Sequence, residues 1–493
     1  MRILILLVPF FLVGISKGEE TKRPNILMIA VDDLRPMLGC YGNERVKTPN
    51  IDALAEESMV FEKAYCNYAK CGLSRLSLMT GLRPGAIEVY DHGYENVAKF
   101  RERRSDATPM SRWFRENGYE TRSFGKIDHD GWDVPEDWSA PPEPGRDREM
   151  WEIVDESNPK GETIIADRRA CPVQQFPDVE DDHFFAGRMT TRVSELLASR
   201  ENTEPFFFAV GYRRPHLPFI APKKYRDLYS PDATWLAPNP EAPAGVPFFP
   251  WFNSDGYTGM AKALEDPMPE KMTPQAAMNF NGFEMRSYLG VPTSGPISEE
   301  MQLDLLGAYA ACVSYVDAQV GRLLEALEAS GERENTIIVF WSDHGWHLGE
   351  MGAWGKMTNY EVGTRIPFLI SAPGNAAGRT ESLAALVDLY PTLCDLAGIE
   401  SPSHLAGTVL TPVLEDPERS VQSRVYSSYQ RYKGRYFGSA VKTPEYRYVR
   451  WVNRKGELET EELYDQRGDP HETKNIASEK PDVVKQLSEL LTK

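Results

Sequence analysis

Two pairs of residues, each containing at least one aspartate, stand at the ends of apolar runs that are typical of buried strands. Asp32-Asp33 follows Ile26 to Val31, and Asp343-His344 follows Thr336 to Trp341. Because ligands of open parallel sheets bind beyond the carboxyl ends of the strands, we expect these side chains to share one site. Three carboxylates gathered there would repel one another without a cation, and oxygen ligands favour a hard ion such as Ca²⁺ or Mg²⁺. The alternative interpretation is that each pair caps a following helix.

A second cluster centres on Cys71. The segment Cys71-Gly-Leu-Ser-Arg75 leads into a helical stretch, so the thiol stands at a helix start, four residues before an arginine. Backbone N–H groups at a helix N-terminus and a nearby cation stabilise an anion. Taken alone, the segment has two interpretations: a reactive thiol, or a buried cysteine beside a surface arginine.

Taken together and in order, these motifs resemble the type I sulfatases of the alkaline-phosphatase-like superfamily. Within that family the sequence is most similar to the iduronate-2-sulfatase branch and its bacterial relatives. The resemblance runs through nearly the whole chain after its first residues. The segments that carry it are Asn25 to Asp33, Val31 to Pro36, Leu38 to Gly42, Thr48 to Asp52, Cys71 to Gly81, Gly211 to His216, Trp341 to Trp346 and Leu463 to Asp465.

The resemblance implies a sulfuric ester hydrolase that removes sulfate from a sulfated carbohydrate. It implies that a formylglycine-generating maturation enzyme oxidises Cys71 to formylglycine, whose hydrated aldehyde is the nucleophile. In-line attack on sulfur would release the sugar alcohol, and loss of a proton from the second diol hydroxyl would then expel sulfate. Ca²⁺, in preference to Mg²⁺, would polarise a sulfate oxygen. The implied ligands are Asp32, Asp33, Asp343, His344 and residue 71.

By the same resemblance, five further side chains act on the sulfate group. Arg75 would steady the formylglycine and its bound sulfate, and Lys126 would contact the sulfate. His129 would be the base that triggers elimination. His216 and Lys356 match positions that contact sulfate and help to protonate the leaving oxygen. Taken singly, a lysine is usually solvated and a histidine between prolines packs a turn, so these roles depend on the complete motif set.

The identity of the sugar is a hypothesis that rests on the resemblance alone. A 2-O-sulfated uronic acid is the expected substrate, suggested by the Tyr90-Asp91 and Trp346 segments. Arg35, Tyr90, Asp91 and Trp346 are weaker pocket candidates, for which surface or packing roles are an equal alternative. His347 lies near the metal motif and could line the pocket.

The chain departs from the family pattern at two positions near Cys71. The usual maturation signal is Cys-x-Pro/Ala-x-Arg, and Leu73 occupies its middle position. Leu82 stands where many sulfatases have arginine, with Arg83 one residue later. Neither change removes a proposed metal ligand, but Leu73 leaves efficient conversion by the common maturation enzyme an open question.

Two other functions stay open on this sequence. A phosphodiesterase or phosphonate monoester hydrolase of the same superfamily would share the fold and the metal cluster. A sulfated-glycan-binding protein without catalysis would keep Cys71 as a thiol, although the set of Lys126, His129, His216 and Lys356 favours an enzyme.

The elements that must position these residues alternate between strand-like and helical segments, which predicts an α/β fold with a large, mostly parallel central sheet. Ile51 to Ala64 has helical spacing, and Ser111 to Asn117 is a second predicted helix. Glu299 to Glu328 is the clearest helix, with apolar residues at three- and four-residue steps. Strands are predicted at Pro205 to Gly211 and at the two acidic-ended runs.

The organisation along the chain suggests a signal peptide over 1–18, a catalytic domain over 19–419 and a small C-terminal subdomain over 420–493. The segments 130–182 and 230–297 are rich in proline and aromatic residues, which predicts long loops that select the substrate. After about Ser420, short strand-like pieces precede a helix near Pro481 to Leu491. This pattern predicts a small antiparallel sheet with a terminal helix.

Composition argues against a nucleic-acid-binding protein and against a structural zinc site. A net charge of −18 argues against nucleic acid as the main partner. The six cysteines include no C-x-x-C pair, which disfavours a structural zinc site.

The first residues predict export. Arg2, the apolar run Ile3 to Ile15 and the small residues Ser16 and Gly18 are typical of a cleaved signal peptide. We therefore expect a periplasmic or secreted protein without an integral membrane segment.

Overall fold

The computed structural model describes residues 22–89, 94–129, 131–145, 171–201, 204–247, 283–292, 295–431 and 434–491. The expected signal peptide and the Tyr90-Asp91 pair lie outside the described residues, as do residues 146–170 and 248–282 of the two predicted long loops. Among the residues that are described, no helix is long and apolar enough to cross a membrane.

The described strands are numbered in chain order. They are β1 Asn25–Val31, β2 Met59–Phe61, β3 Ala64–Tyr65, β4 Glu120–Gly125, β5 Gln174–Gln175, β6 Phe206–Tyr212, β7 Phe219–Ile220, β8 Thr336–Ser342, β9 His347–Leu348, β10 Trp354–Gly355, β11 Arg365–Ile366, β12 Phe368–Ser371, β13 Gly378–Thr380, β14 Ala384–Ala385, β15 Val425–Arg431, β16 Tyr436–Lys442, β17 Tyr446–Asn453 and β18 Leu458–Asp465.

The described α-helices are numbered in the same way. They are α1 Pro49–Glu56, α2 Cys71–Thr80, α3 Pro84–Ile87, α4 Tyr94–Arg103, α5 Met110–Glu116, α6 Phe185–Ala198, α7 Lys223–Arg226, α8 Phe283–Arg286, α9 Glu299–Ala329, α10 Glu361–Thr364, α11 Leu389–Leu396, α12 Thr411–Glu415 and α13 Pro481–Leu490.

A seven-stranded sheet forms the centre of the molecule, in the order β13-β2-β12-β8-β1-β6-β4. The pairs β8–β1, β1–β6, β6–β4 and β13–β2 are parallel, whereas β12 is antiparallel to both of its neighbours. The predicted α/β fold with a mostly parallel sheet is therefore confirmed.

The central strand β1 is buried on both faces because helices cover both sides of the sheet. Leu27, Ile29 and Val31 belong to a core that includes α6 and α9. Ile26, Met28 and Ala30, which point the other way, belong to a core that includes α5 and α11. A continuous apolar run is what such a doubly covered parallel strand requires.

A four-stranded antiparallel sheet, β15-β16-β17-β18, follows the main sheet and packs against α13. The predicted C-terminal sheet and helix are confirmed, and Val425–Arg431 adds a first strand that the sequence pattern did not predict. Arg447 joins this sheet to the preceding part of the chain, because its buried guanidinium contacts Glu361 at 2.5 Å and Glu472 at 2.6 Å.

One predicted helix is wrong in its second half. The helix expected over Ile51 to Ala64 ends at Glu56, and Met59–Phe61 pairs with β12 and β13 instead. The run Met59-Val60-Phe61 is fully buried, and its sheet partners determine its conformation despite the helical spacing. The other predicted helices and strands lie within a few residues of their expected bounds.

Candidate active site

Strand register brings the predicted residues to one edge of the sheet. Val31 is paired with Ser342 on one side and with Tyr212 on the other. Asp32 and Asp343 therefore both follow the last paired residue of neighbouring parallel strands. Their carboxylates meet at the sheet edge, which is the arrangement expected from the two acidic-ended runs.

A pair of glycines brings Lys126 to the same edge. Gly125 and Gly211 lie opposite each other in β4 and β6, and Lys126 N donates to Gly211 O at 2.9 Å. A Cβ on Gly211 would meet the Lys126 backbone at 2.1 Å, and Gly125 has φ +71°. This close backbone approach requires glycine at both positions.

The backbone of Asp33 adopts an unusual conformation that three hydrogen bonds support. Its φ is 59°, in the left-handed region. Its N–H donates to Asp343 Oδ1 at 3.2 Å, and its carbonyl accepts from the Tyr309 hydroxyl at 2.9 Å. The N–H of Arg35 in turn donates to that hydroxyl. The buried helix α9 thus helps to hold Asp33 at the site through Tyr309.

Helix α2 supplies both Cys71, its first residue, and Arg75, one turn later. The Arg75 guanidinium is fully buried; its Nε donates to Asp343 Oδ2 at 2.9 Å, and its Nη2 donates to Asp32 Oδ1 at 3.3 Å. It also donates to the carbonyls of Lys126 and Ile127. The interpretation of Arg75 as a surface residue is therefore wrong, because it links α2 to all three strand ends.

The ring of His344 is oriented by its own chain. Nδ1 lies 2.9 Å from Gly345 O, a contact that requires the Nδ1 proton. In that tautomer Nε2 carries a lone pair. Nε2 lies 3.3 Å from Cys71 Sγ and 3.4 Å from Asp33 Oδ1, so the lone pair faces the cluster as a metal ligand would.

Two buried lysines flank the thiol and the carboxylates. Lys126 Nζ contacts Asp32 Oδ2, and Lys356 Nζ lies 2.6 Å from Asp33 Oδ1 and 3.2 Å from Cys71 Sγ. Asp33 and Cys71 raise the pKa of Lys356 well above its usual value, although burial acts in the opposite direction. Both lysines are thus placed as fixed cations beside residue 71.

The two histidines predicted to act on the substrate, His216 and His129, have different surroundings. A nitrogen of His216 lies within 4.8 Å of ligand atoms of Asp32, Asp33 and Cys71. The His216 ring is held by the carbonyl of Leu217, which lies 2.7 Å from Nδ1. His129 lies three residues beyond Lys126 and packs against Trp132, with ring centroids 5.2 Å apart and ring planes inclined by 51°.

The cluster has the composition of a metal site. Ligand atoms of Asp32, Cys71, Asp343 and His344 all lie within 4.8 Å of one another, and a second set joins Asp32, Asp33 and Cys71. Asp33 Oδ2 is buried and accepts no hydrogen bond. Such an atom is costly unless a cation satisfies it, so the donor set fits a divalent ion with oxygen and nitrogen ligands.

The pKa values of the neighbouring Asp32 and Asp33 carboxyl groups shift in opposite directions. Burial alone would raise the pKa of Asp32, but Lys126 and the other surrounding cations hold that pKa well below its usual value. Burial raises the pKa of Asp33 well above its usual value, against the effect of Lys356. Asp32 is therefore fully neutralised by protein cations, whereas the charge of Asp33 is the one that a bound ion would stabilise.

The environment of Cys71 disfavours thiol chemistry. Its side chain is buried, and burial together with Asp32 raises its pKa to about 11. A reactive cysteine needs a lowered pKa, because the thiolate is the nucleophile. Lys356 and the helix N-terminus do not overcome burial and the adjacent carboxylates, so the unmodified thiol is a poor nucleophile in this site.

Leu73 is a core residue of the folded protein. It is completely buried and packs with Tyr68 and Tyr429, and Met357 lies beside it. Leu82 is also buried, in a cluster with Leu76 and Trp132. Both departures from the family pattern therefore have packing roles.

The weaker pocket candidates are mostly structural. Arg35 pairs with Glu350 at 2.6 Å, and the buried ring of Trp346 lies 5.1 Å from Lys356 Nζ. His347 is fully buried against Thr358, and burial lowers its pKa to about 4.

Sequence reasoning missed Glu284. Its carboxylate lies 3.5 Å from His216 Nε2 and 3.9 Å from Lys356 Nζ. It stands in a predicted loop with weak periodicity, so no signal in the sequence singled it out.

Comparisons with known proteins agree with this geometry. The model of the sulfatase family matches residues 24–399, and a model described as N-sulphoglucosamine sulphohydrolase, C-terminal, matches residues 349–493. Iduronate 2-sulfatase from Homo sapiens is 35% identical over 432 residues, which cover 79% of this chain and 73% of the human protein.

Two solved structures share the fold. One, described as a complex with its substrate D-glucosamine-2-N,6-O-disulfate, has a TM-score of 0.68 at 21% identity and covers 96% of this chain and 97% of its own. The phosphonate monoester hydrolase of Agrobacterium radiobacter has a TM-score of 0.69 at 22% identity, with 95% of each chain covered. Since the family model spans most of the sequence, the chain belongs to the sulfatase family and is a sulfatase enzyme.

Proposed function

We propose that the protein removes sulfate from a sulfated carbohydrate with a formylglycine formed from Cys71 and a bound Ca²⁺. The observation that carries the proposal is the position of Cys71 Sγ, in contact with His344 at 3.3 Å and with Lys356 at 3.2 Å. A nucleophile formed at this atom would have a buried cation on one side and the metal-ligand set on the other.

Asp32, Asp33, Asp343 and His344, together with residue 71, would hold the ion. When bound, Ca²⁺ supplies Lewis acidity toward a sulfate oxygen and favours the deprotonated form of a diol hydroxyl. Ca²⁺ is proposed in preference to Mg²⁺ because the family resemblance implies it, and a crowded set of protein ligands suits the larger ion.

Two buried cations, Arg75 and Lys126, would stabilise the charge that develops on the sulfate oxygens. Arg75 is fixed by its contacts with Asp32 and Asp343, and Lys126 by its contact with Asp32. Because these side chains are already oriented by the fold, they need no rearrangement during the reaction. Such preorganised charge is usually the largest contribution to catalysis.

His216 and Lys356 are the proposed proton donors to the leaving oxygen. Both are largely buried beside residue 71, and Lys356 approaches it at 3.2 Å. His129, in the loop after β4, is proposed as the base that removes the proton from the second diol hydroxyl. The His129 assignment rests on the family motif and on its place three residues beyond Lys126.

The proposed substrate is a sugar with a 2-O-sulfated uronic acid. This proposal is supported by the 35% identity to human iduronate 2-sulfatase.

We further propose that the protein is exported to the periplasm or secreted, with cleavage after Gly18. The catalytic domain would span 19–419 and the small subdomain 420–493. The proposed boundary lies in the segment between α12 and β15.

The test is sulfate release from a panel of sulfated mono- and disaccharides by protein co-produced with a formylglycine-generating enzyme. We expect release from a 2-O-sulfated uronic acid and none by the Cys71→Ala variant. Release only from sugars without a carboxylate would refute the uronic acid.

Rates on 4-nitrophenyl sulfate and on 4-nitrophenyl phenylphosphonate distinguish the sulfatase from the phosphonate monoester hydrolase that shares its fold. Faster hydrolysis of the phosphonate would contradict the proposed function. Binding of sulfated sugars without any release of sulfate would instead indicate a glycan-binding protein.

A further inference from the structure

Glu284 is an acidic side chain that lies beside the two proposed proton donors, His216 and Lys356. It belongs to the short helix α8, and only 13% of its side chain is exposed. Oε1 lies 3.5 Å from His216 Nε2, and Oε2 lies 3.9 Å from Lys356 Nζ. One carboxylate therefore contacts both of the groups proposed to protonate the leaving oxygen.

The chain around Glu284 is firmly attached. Met285 is fully buried, and Arg286, which is 3% exposed, donates to the carbonyls of Pro292 and Gly295. The carboxylate is therefore carried by an anchored turn of the chain.

The chain segments that follow Glu284 and His216 are both hydrogen-bonded to the segment 171–175. Leu289 N donates to Cys171 O at 2.9 Å, and Phe219 N donates to Val173 O at 2.8 Å. The short strand β5 then pairs with β7, which begins three residues after His216. The positions of the carboxylate and the imidazole are thus coupled through a few hydrogen bonds.

The contacts of His216 leave one edge of its ring for Glu284. Nδ1 is occupied by the carbonyl of Leu217 at 2.7 Å, so Nε2 is the nitrogen that faces the carboxylate. Lys356 Nζ likewise contacts Cys71 and Asp33 on one hand and Glu284 on the other. Both donors are held between the nucleophile position and the same acid.

We propose that Glu284 is a positioning residue that orients His216 and Lys356 for proton donation to the leaving alcohol. The proposal rests on the proposed sulfatase function. In the step concerned, the bond from sulfur to the leaving oxygen breaks and the oxygen keeps the electron pair. The oxygen takes a proton from Lys356 or from Nε2 of a doubly protonated His216, whose Nδ1 proton stays with the carbonyl of Leu217, while Glu284 neither gives nor receives a proton.

The dependence on leaving group distinguishes this role from a merely structural one. A nitrophenolate departs without a proton, whereas a phenolate or a sugar alkoxide needs one. We expect the isosteric Glu284→Gln variant to keep its rate on 4-nitrophenyl sulfate within about twofold. Its kcat on phenyl sulfate, and on the sugar hydrolysed fastest in the panel above, should fall about 10- to 100-fold.

Two further variants serve as controls. Glu284→Asp retains the charge and should restore part of the rate on phenyl sulfate. Glu300→Gln removes a carboxylate from an exposed position at the start of α9 and should change neither rate.

The outcomes separate the two proposals. An equal loss on all substrates, or no loss on any, would overturn the role of Glu284 and leave the sulfatase function standing. If the unaltered, formylglycine-containing enzyme released sulfate from none of these esters, the proposed function would fail and this inference with it.

Discussion

The Asp343 carboxylate connects the metal-ligand set to the catalytic helix. One oxygen accepts from Arg75 Nε at 2.9 Å, and the other accepts from the Asp33 N–H at 3.2 Å. A single side chain therefore orients an arginine on α2 and the backbone of a second aspartate. At the scale of single residues, much of the site depends on such shared contacts.

Replacement of Asp343 by asparagine should remove one negative charge from this junction while preserving its shape. We expect turnover to fall by at least about 100-fold and retention of the divalent ion to weaken, because ligand charge and orientation change together. Elemental analysis after gel filtration and the rate of sulfate release measure the two effects.

Asp317→Asn is a matched control. Asp317 is also buried, but it accepts from the backbone of Asn50 and Ile51, away from the site. If Asp343→Asn retained its ion and its rate as well as this control does, the assignment of Asp343 would be wrong.

The residue types at the site were predictable because family motifs and strand-end carboxylates constrain them. Asp32, Asp33, Cys71, Arg75, Asp343 and His344 all lie in the predicted cluster. Glu284 was not predictable, since its contacts with His216 and Lys356 come from tertiary packing of a segment without periodicity. The packing role of Leu73 was hidden for the same reason.

At the scale of secondary-structure elements, the loop after β4 carries a buried acidic side chain outside the proposed metal-ligand set, that of Asp128. Burial, together with Asp133, raises the pKa of Asp128 to about 7. Its folded pKa lies above its unfolded value, so the stability it contributes is complete at low pH and is lost as the pH rises through about 7. The same loop bears Lys126 and His129, so this destabilising ionisation lies within a segment of the site.

We expect Asp128→Asn to unfold at a higher temperature than the unaltered protein at about pH 8.5, and at nearly the same temperature at about pH 4, close to the unfolded pKa of a carboxyl group. The difference corresponds to about 1.4 kcal/mol for each unit of pKa shift. Thermal unfolding of both proteins at the two pH values provides the measurement. A gap of the same size at both pH values would rule out titration of Asp128 as its cause.

Helix α2 must satisfy two requirements at Leu73. The maturation signal favours a small residue or proline there, whereas the folded protein packs Leu73 against Tyr68 and Tyr429. Under the proposed maturation of Cys71, the leucine would therefore favour the stability of the folded protein over recognition by the modifying enzyme.

Leu73→Ala should raise the fraction of chains with formylglycine and lower the free energy of unfolding by about 2–5 kcal/mol. Mass spectrometry of residue 71 and denaturant unfolding measure the two changes. Leu78→Ala, at a fully buried position of the same helix outside the signal, should cause a similar destabilisation without any gain in conversion. A lower fraction of formylglycine in Leu73→Ala than in the unaltered protein would contradict the explanation.

At the scale of the whole molecule, the order and register of the strands determine where the site lies. The parallel arrangement of β8, β1 and β6 was predictable from buried apolar runs, and their alignment at Ser342, Val31 and Tyr212 makes the carboxylates meet. The early end of α1 and the added strand β15 were not predictable. Both depend on sheet partners that are distant in sequence.

Removal of the proposed ion should destabilise the entire fold, because three aspartates from two neighbouring strand ends would share it. An ion at 100 times its dissociation constant contributes about 2.7 kcal/mol, so we expect a chelator to lower Tm by a few degrees and added Ca²⁺ to restore it. The shift should be smaller in Asp343→Asn. An unchanged Tm in protein shown to have lost its ion would argue against a shared metal site.

The mass of the peptide that contains residue 71, taken from protein produced in its native host, tests the central claim most directly. An aldehyde or its hydrate in place of the thiol is the predicted result, and it would show that Leu73 is tolerated by the maturation enzyme. An intact cysteine in protein that releases sulfate would contradict the formylglycine mechanism, since the buried thiol has a pKa of about 11 and is a poor nucleophile.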